Sequence, residues 1–484
     1  MITIQKTRLF RMIIPAFPYA GIFNRFHKKI TALGAVVIAT VVNQFLPGWR
    51  AEVIDENNYI GPRTPEGKVD HTALQQQTPA DAIGVYCGLS STMPRAWKIA
   101  QIYKNLGVLT IAGGRHVSFA PQESLDHGFD VVVVDEGENV ILEILQDIEN
   151  NGKLAGIIKR TAPNLETIPV PDFGLLRFAK KIKIYPISRI RGCKMKCEFC
   201  TVNEAPRWSS AAHLFAQVCW LVETRKAKSF FIADDRLEED RNGYLEFFQL
   251  IKNRFGKKLK FTVQVRLAAA EDTELLIAMK EAGVAVVCIG FESPIDTELK
   301  AMHKGTTVAK MLAHTKMWVK NFSVHGMFIF GYPLPPGVEL IDFRTRIRLF
   351  KKFIKNSRID TIQIMHPIPL IGSKLRDRLE KANQLFPLGQ VGWDRYSGEF
   401  ACYRPNDMTL EQLQKGPTQI MKWFYSWHAW YRVPIRTLTM PLSCLISGWP
   451  KWHRKWFDDV VKIGANILVR RQEKEEQKYI RSLM

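Results

Sequence analysis

Residues 191–200 read RGCKMKCEFC and set Cys193, Cys197 and Cys200 in a C-x3-C-x2-C spacing. Three thiols this close are suited to metal binding as thiolates. A structural zinc site takes four nitrogen or sulfur ligands, and an iron–sulfur cluster held wholly by protein takes four cysteines. No fourth cysteine lies nearby. The triplet therefore suits a 4Fe–4S cluster whose fourth iron is open to a small molecule. A zinc knuckle, or three incidental cysteines, is the competing reading.

Such a loop needs a rigid edge to stand on, and the surrounding sequence supplies one. YPISRI precedes the cysteines, and a helix at 209–226 follows, with Leu214, Val218, Leu221 and Val222 at helical spacing. Strands are predicted at 229–235, 260–266, 285–293, 325–333 and 361–369, with a helix between most successive pairs. In a barrel of such units, function sits where strands end. Those positions hold Asp234 and Asp235, Gln264 and Arg266, Glu292 and Ser293, and Gly331. Carboxylates there orient ligands, or cap the next helix, and a guanidinium matches a carboxylate.

The first 150 residues have the same alternation. Strands are predicted at 11–17, 51–55, 82–88, 108–114 and 130–138, and helices at 28–45, 94–105 and 139–150. Continuous β-branched runs between helices imply a parallel sheet covered on both faces. The expected form is a flavodoxin-like, doubly wound sheet with its ligand at the carboxyl ends of the strands. Residues 151–183 read as a linker, 184–385 as the second domain, and 386–484 as a basic, aromatic-rich helical region. The uncharged run within 27–46 is too short for a span and reads as a buried helix.

The cysteine spacing and the residues that follow it resemble those of the radical S-adenosylmethionine enzymes. That resemblance implies a partial (β/α)6 barrel and a 4Fe–4S cluster on Cys193, Cys197 and Cys200, with S-adenosylmethionine chelated by the open iron. It implies that Phe199 lies beside the adenine, that Asp234 or Asp235 meets the methionyl amine or substrate, and that Arg266 and Gln264 stand near the carboxylate. GFES at 290–293 is similar to the family's G-x-E-S, which places Glu292 and Ser293 at the cofactor, and Gly331 would admit the adenosine. Asp235 and Glu292 are the candidates for chemistry.

The first domain resembles the cobalamin-binding domain that often precedes such barrels. DAIGVYCGLSSTMPRAWKIA (81–100) and AGGRHVSFAPQESLDHGFDVVVVDEGE (112–138) carry the likeness. It implies that Ser90, Ser91, Gly113 and Gly114 contact the nucleotide tail; as alternatives they are hydroxyl caps and turn glycines. One departure stands out. The D-x-H-x-x-G that supplies an axial histidine elsewhere is missing, and the chain reads AFPYAGIFNRF (16–26) instead. His71 and His116 are the remaining candidates, and each reads better as a structural histidine.

From about 50 to 410, including GWDRYSGEF and RPNDMTLEQLQ, the chain resembles the cobalamin-dependent radical enzymes that include hopanoid methylases and the anaerobic magnesium-protoporphyrin monomethyl ester cyclase. The expected activity is methyl transfer to an unactivated carbon of a hydrophobic substrate, with an external electron donor of flavodoxin or ferredoxin type. Oxidative cyclisation, a cobalamin-free radical enzyme and a metal-stapled binding protein are the alternatives.

Composition agrees with an ordinary globular chain of 484 residues, 46% hydrophobic and 24% charged. The other five cysteines are scattered in apolar runs, which fits free thiols and a cytoplasmic setting. The net charge of +21 has a large share after residue 430, interleaved with tryptophan. That pattern suits an anionic lipid surface or a solvated basic tail. A nucleic-acid partner is not expected. If lipid is the partner, removing residues 450–484 should weaken the contact.

Overall fold

The computed structural model describes residues 7–18, 29–152, 154–180, 182–426 and 428–483. Six parallel strands form the N-terminal sheet: β1 (Arg8–Ile14), β2 (Trp49–Asp55), β3 (Ala82–Tyr86), β4 (Leu109–Gly113), β5 (Val131–Val134) and β6 (Gly156–Lys159). Their order, β2-β1-β3-β4-β5-β6, is the flavodoxin order with one strand added at the edge. Helices Leu33–Phe45 and Glu138–Glu149 cover one face, and His71–Gln77 and Met93–Asn105 the other. Both faces are therefore dry, which explains runs such as VVVV at 131–134.

Several boundaries differ from the sequence reading: the strands expected at 130–138, 229–235, 325–333 and 361–369 end at Val134, Ile232, Ile329 and Met365. β1 ends at Ile14 because Pro15 cannot donate to the ladder. It begins at Arg8, and Arg11 lies inside it, fully buried. Arg11 Nε donates to Glu52 on β2 at 2.6 Å and Nη1 to the Tyr103 hydroxyl at 3.0 Å. A buried charge is tolerated when paired and hydrogen-bonded in this way. The helix expected at 28–45 begins at Leu33, and residue 28 lies outside the described residues.

Residues 151–183 are more than a connector. β6 pairs in parallel with β5, and Leu176 and Ala179 bridge back to Val53 and Tyr59. The four-residue GIIK, on a half-exposed edge, is too short to display a period.

A second parallel sheet begins at β7 (Tyr185–Ile187). It continues through β10 (Ser229–Ile232), β11 (Lys260–Val265), β12 (Val284–Glu292), β13 (Ser323–Ile329) and β14 (Thr361–Met365), once the short β8 (Ile190–Arg191) and β9 (Arg207–Trp208) are set aside. The order β14-β13-β12-β11-β10-β7 is that of an open barrel wall. Side chains alternate. Phe261, Val263, Val287, Ile289, Phe291, Ile362 and Ile364 are buried against the outer helices, while Thr262, Gln264, His325, Gln363 and Met365 take the concave side.

Beyond 385 the chain first crosses to the N-terminal core, where Val391, Trp393, Tyr396 and Phe400 pack. Helices Leu410–Phe424, His428–Leu438, Met440–Ser447 and Trp449–Leu483 follow. The first is opened by a Thr409/Gln412 capping box. No helix among the described residues is long and apolar enough to cross a membrane.

Candidate functional site

The cysteine loop hangs from a two-strand clip. β8 and β9 pair antiparallel, Ile190 with Trp208 and Arg191 with Arg207, and close the base of residues 192–206. Gly192 has φ +92°, and a Cβ there would stand 2.6 Å from the Ala205 carbonyl oxygen, so glycine is required before Cys193. The Cys193 amide donates to the Glu204 carbonyl at 3.1 Å, and the Cys200 amide to the Cys197 carbonyl at 3.1 Å. The amides of Met195 and Val202 point at the Cys193 and Cys200 sulfurs, at 3.4 and 3.3 Å.

Glu198, between two of the cysteines, is an anchor that the sequence did not single out. It receives Arg378 Nε at 2.7 Å and the Tyr332 hydroxyl at 2.5 Å, and its own carbonyl accepts from the Leu375 amide. Phe199 is half-buried, edge-on to Tyr332 at 6.4 Å. Among the described residues no three His, Cys, Asp or Glu converge tightly enough to hold one metal ion. A tetranuclear cluster distributes its thiolates over separate irons and keeps them further apart than a single ion does. The three free, half-buried thiols of one clipped loop fit that donor set.

Beside Cys197 the barrel presents charge. A register shift in β12 between Gly290 and Glu292 is a bulge that re-aims the carboxylate. Glu292 sits at φ +61°, a strained value for a side-chain-bearing residue. Its Oε1 stands 2.3 Å from where a Cβ on Gly290 would sit, so a side chain at 290 would displace the carboxylate. Lys304 Nζ donates to Glu292 Oε1 at 2.7 Å. Burial pushes the Cys197 thiol up, while the nearby Lys304 and Arg266 cations pull it down. Burial opposes the Lys304 charge, yet Glu292 and Cys197 raise its pKa overall. Arg266 has no side-chain hydrogen-bond partner among the described residues. Gln264 is exposed on the concave side of β11.

Other expected site residues serve the scaffold. Asp234 is buried, and its Oδ1 receives the Ser188 hydroxyl at 2.7 Å and the Arg189 and Ile190 amides at 2.7 and 3.0 Å. Tyr244 donates to its Oδ2. Asp234 thus ties β7 to β10 and has no capacity left for a ligand. Ser293 gives its hydroxyl to Glu298 at 2.5 Å, within a buried Glu298–Arg346–Asp407 network. Gly331 is needed twice: φ is +74°, and a Cβ would meet Leu413 Cδ1 at 2.4 Å. Asp235 Oδ2 accepts from the Gly192 amide at 2.8 Å while Asp235 faces the cavity. It holds the loop from the open side.

That cavity, of about 740 Å³, lies between the two sheets. Phe10, Met12, Val37, Ile111 and Val133 give it apolar walls; Arg115, Asp135, Arg191 and Asp235 are among its polar lining. Gly84, Gly113, Gly114 and Gly137 also line it. Gly114 has φ +132°, and a Cβ would stand 2.7 Å from backbone atoms of Cys87 and Gly88. A Cβ on Gly84 would meet Met12 Sδ and Phe10 Cζ, both at 2.7 Å. An edge of bare backbone above an apolar pit fits a bulky amphipathic corrinoid. Ser90 and Ser91 are buried off this cavity, Ser90 Oγ lying 2.9 Å from His116 Nδ1.

Both histidine candidates are engaged at both ring nitrogens. His116 Nε2 lies 3.0 Å from Glu123, which also receives the Trp393 indole. His71 lies 3.1 Å from Glu56 and 3.3 Å from the Tyr103 hydroxyl. Neither is free to ligate cobalt. The sequence missed the arginines that join the two edges. Arg191 donates to Glu136 at 2.6 Å and Glu138 at 2.7 Å, and Arg207 also reaches Glu136. Arg115 returns the contact, donating to Glu204 at 2.5 Å and to the Thr201 carbonyl. The DEGE of the first domain is thus a docking surface for the cysteine loop.

A flavodoxin-like sheet facing an open (β/α)6 wall that bears a three-cysteine loop defines a two-domain cofactor enzyme. The comparisons name the class. Residues 20–145 match the B12 binding domain and 187–350 the Radical SAM superfamily. The chain is 26% identical over 364 residues to an uncharacterized methyltransferase of Pyrococcus horikoshii, covering 69% of this chain and 76% of that protein. It is 22% identical over 398 residues to the bacteriochlorophyllide d C-8(2)-methyltransferase of Chlorobaculum tepidum, covering 77% and 83%. The fold is shared with the cobalamin-dependent S-adenosylmethionine radical enzyme OxsB, solved with aqua-cobalamin and S-adenosylmethionine bound: TM-score 0.66, 13% identity, 96% of this chain and 72% of that one. The chain belongs to the radical S-adenosylmethionine enzymes that carry a B12-binding domain. Its cofactors are a 4Fe–4S cluster, S-adenosylmethionine and cobalamin.

Proposed function

We propose that this enzyme transfers a methyl group from S-adenosylmethionine, by way of cobalamin, to an unactivated carbon of a hydrophobic polycyclic substrate. One observation carries the reading: the glycine edge of the N-terminal sheet and the base of the cysteine loop wall the same cavity. When bound, the cofactors supply one-electron cleavage of S-adenosylmethionine and methyl donation from cobalt. The chain's own residues hold and orient. Cys193, Cys197 and Cys200 hold the cluster as thiolates. Arg266 offers a guanidinium fork to a carboxylate, and the Lys304–Glu292 pair sets the charge beside Cys197. Asp235 holds Gly192, and the Arg115, Arg191 and Arg207 contacts keep the two domains closed against water.

A relative named for a bacteriochlorophyllide supports a tetrapyrrole or similarly flat, greasy substrate. An external donor of flavodoxin or ferredoxin type would supply the electron, and the C-terminal region would touch a membrane where such substrates reside. The test is anaerobic incubation with methyl-labelled S-adenosylmethionine, reductant, cobalamin and candidate porphyrins or polycyclic lipids. Labelled product together with 5′-deoxyadenosine is expected. Deoxyadenosine with an unlabelled, oxidised product would turn the reading to cyclisation.

A further inference from the structure

The C-terminal helices have two unlike ends. The distal part of Trp449–Leu483 is core: Val469, Tyr479 and Ile480 are buried, and the Tyr479 hydroxyl donates to the Ala401 carbonyl at 2.6 Å. Removing residues 450–484 would therefore take out packing, and is no clean test of lipid contact. The other end is bare. Leu438 is 82% exposed, Leu445 85%, Ile446 78% and Leu442 63%, and Ile435 and Trp449 are more than half exposed. Exposed apolar side chains concentrated in one short stretch in this way mark an interaction surface.

The base of this tip is firm. Arg436 Nε donates to Asp459 at 2.6 Å, the Trp452 indole to the Arg436 carbonyl at 2.9 Å, and the Trp456 indole to Thr437 Oγ1 at 3.0 Å. Its charge has one sign. No Asp or Glu occurs between Glu411 and Asp458, whereas Arg432, Arg436, Lys451, Arg454 and Lys455 flank the tip in the chain. Lys422 and Arg436 have acidic partners, Glu473 and Asp459, which lie outside that interval.

We propose that the tip formed by residues 435–449 inserts into the interface of an anionic lipid bilayer, with leucine and isoleucine among the acyl chains and the cations at the headgroups. Helix Met440–Ser447 has eight residues, enough to lie in an interface and too few to cross it. Tryptophan on the adjoining turn suits the headgroup level. A second copy of this chain is the poorer occupant, because a two-fold contact would bring the same cations face to face. The inference deepens the membrane-contact part of the proposed function and stands apart from methyl transfer.

The test is flotation of the anaerobically purified full chain with vesicles of phosphatidylcholine alone or with 30% phosphatidylglycerol. The wild type should float with the anionic vesicles, less so at high salt, and the triple variant Leu442→Ser/Leu445→Ser/Ile446→Ser should partition at least tenfold more weakly. S-adenosylmethionine cleavage by the variant should be unchanged, which separates this result from the fate of the catalytic reading. A wild type that stays with no vesicle, or a variant that floats equally well, overturns the proposal. So does a concentration-dependent dimer that the triple substitution abolishes in the absence of lipid binding.

Discussion

Two parallel six-stranded sheets face one another in this protein, and they prepare their ligand edges by opposite means. The N-terminal edge works by removing side chains: Gly84, Gly113, Gly114 and Gly137 line the cavity, and Ser90, His116 and His71 nearby are spent on hydrogen bonds within the domain. The barrel edge works by adding them. A bulge aims Glu292, Lys304 answers it, and three thiols hang from a clip. A bulky cofactor needs room and backbone contact, whereas a cluster and a zwitterionic nucleotide need donors and charge.

The largest effect separating the two edges should come from Cys197→Ala. Reductive cleavage of S-adenosylmethionine should fall to background while cobalamin absorbance in the reconstituted protein is retained; full cleavage would remove the ligand assignment. Gly114→Ala should do the converse. Backbone strain of about 1–3 kcal/mol and the contact with Cys87 and Gly88 should reduce cobalamin retention, with cleavage largely intact. Equal loss of both activities would mean that the two edges are not separable. A smaller effect is expected of Arg266→Lys: a KM for S-adenosylmethionine raised about tenfold with little change in turnover, because an ammonium cannot grip a carboxylate in bidentate fashion. An unchanged KM would take Arg266 out of the site.

The mildest prediction concerns the helix that carries the tip. Glu476 is buried, which raises its carboxyl from about 4.5 to about 8; Thr418 and Gln414 hydrogen bonds oppose the shift, and Glu473 and Glu399 add to it. Between those values the folded state holds a proton that the unfolded chain has lost. Stability should therefore fall as pH rises from about 4.5 to about 8. Glu476→Gln should flatten that slope and melt several degrees above wild type at pH 8. Parallel melting curves at pH 5 and pH 8 would contradict it.

The cluster loop was legible because its spacing is local: Cys193, Cys197 and Cys200 span eight residues. The alternation of strand-like runs with helical stretches likewise made both sheets legible. Strands of the first, buried on both faces, read as continuous β-branched runs, and strands of the second, buried on one face, read as period-two runs. Asp234 looked like a ligand for the same reason that Asp235 did, as adjacent carboxylates at a strand end. Only the fold turns one toward Ser188 and Tyr244 and the other toward the cavity. Glu198 and Arg115 could not be found at all, for their partners lie 180 and 89 residues away.

What the sequence by itself determined is which cofactors the chain carries, because thiol spacing, glycines at turns and strand periodicity are properties of neighbours along the chain. The tertiary structure decided which polar groups remain free. Hydrogen-bond capacity is finite, and a carboxylate or imidazole satisfied by a distant donor has nothing left for a ligand. It also decided that the leucines and isoleucine of residues 438–446 stay uncovered, since burial depends on what folds over a segment.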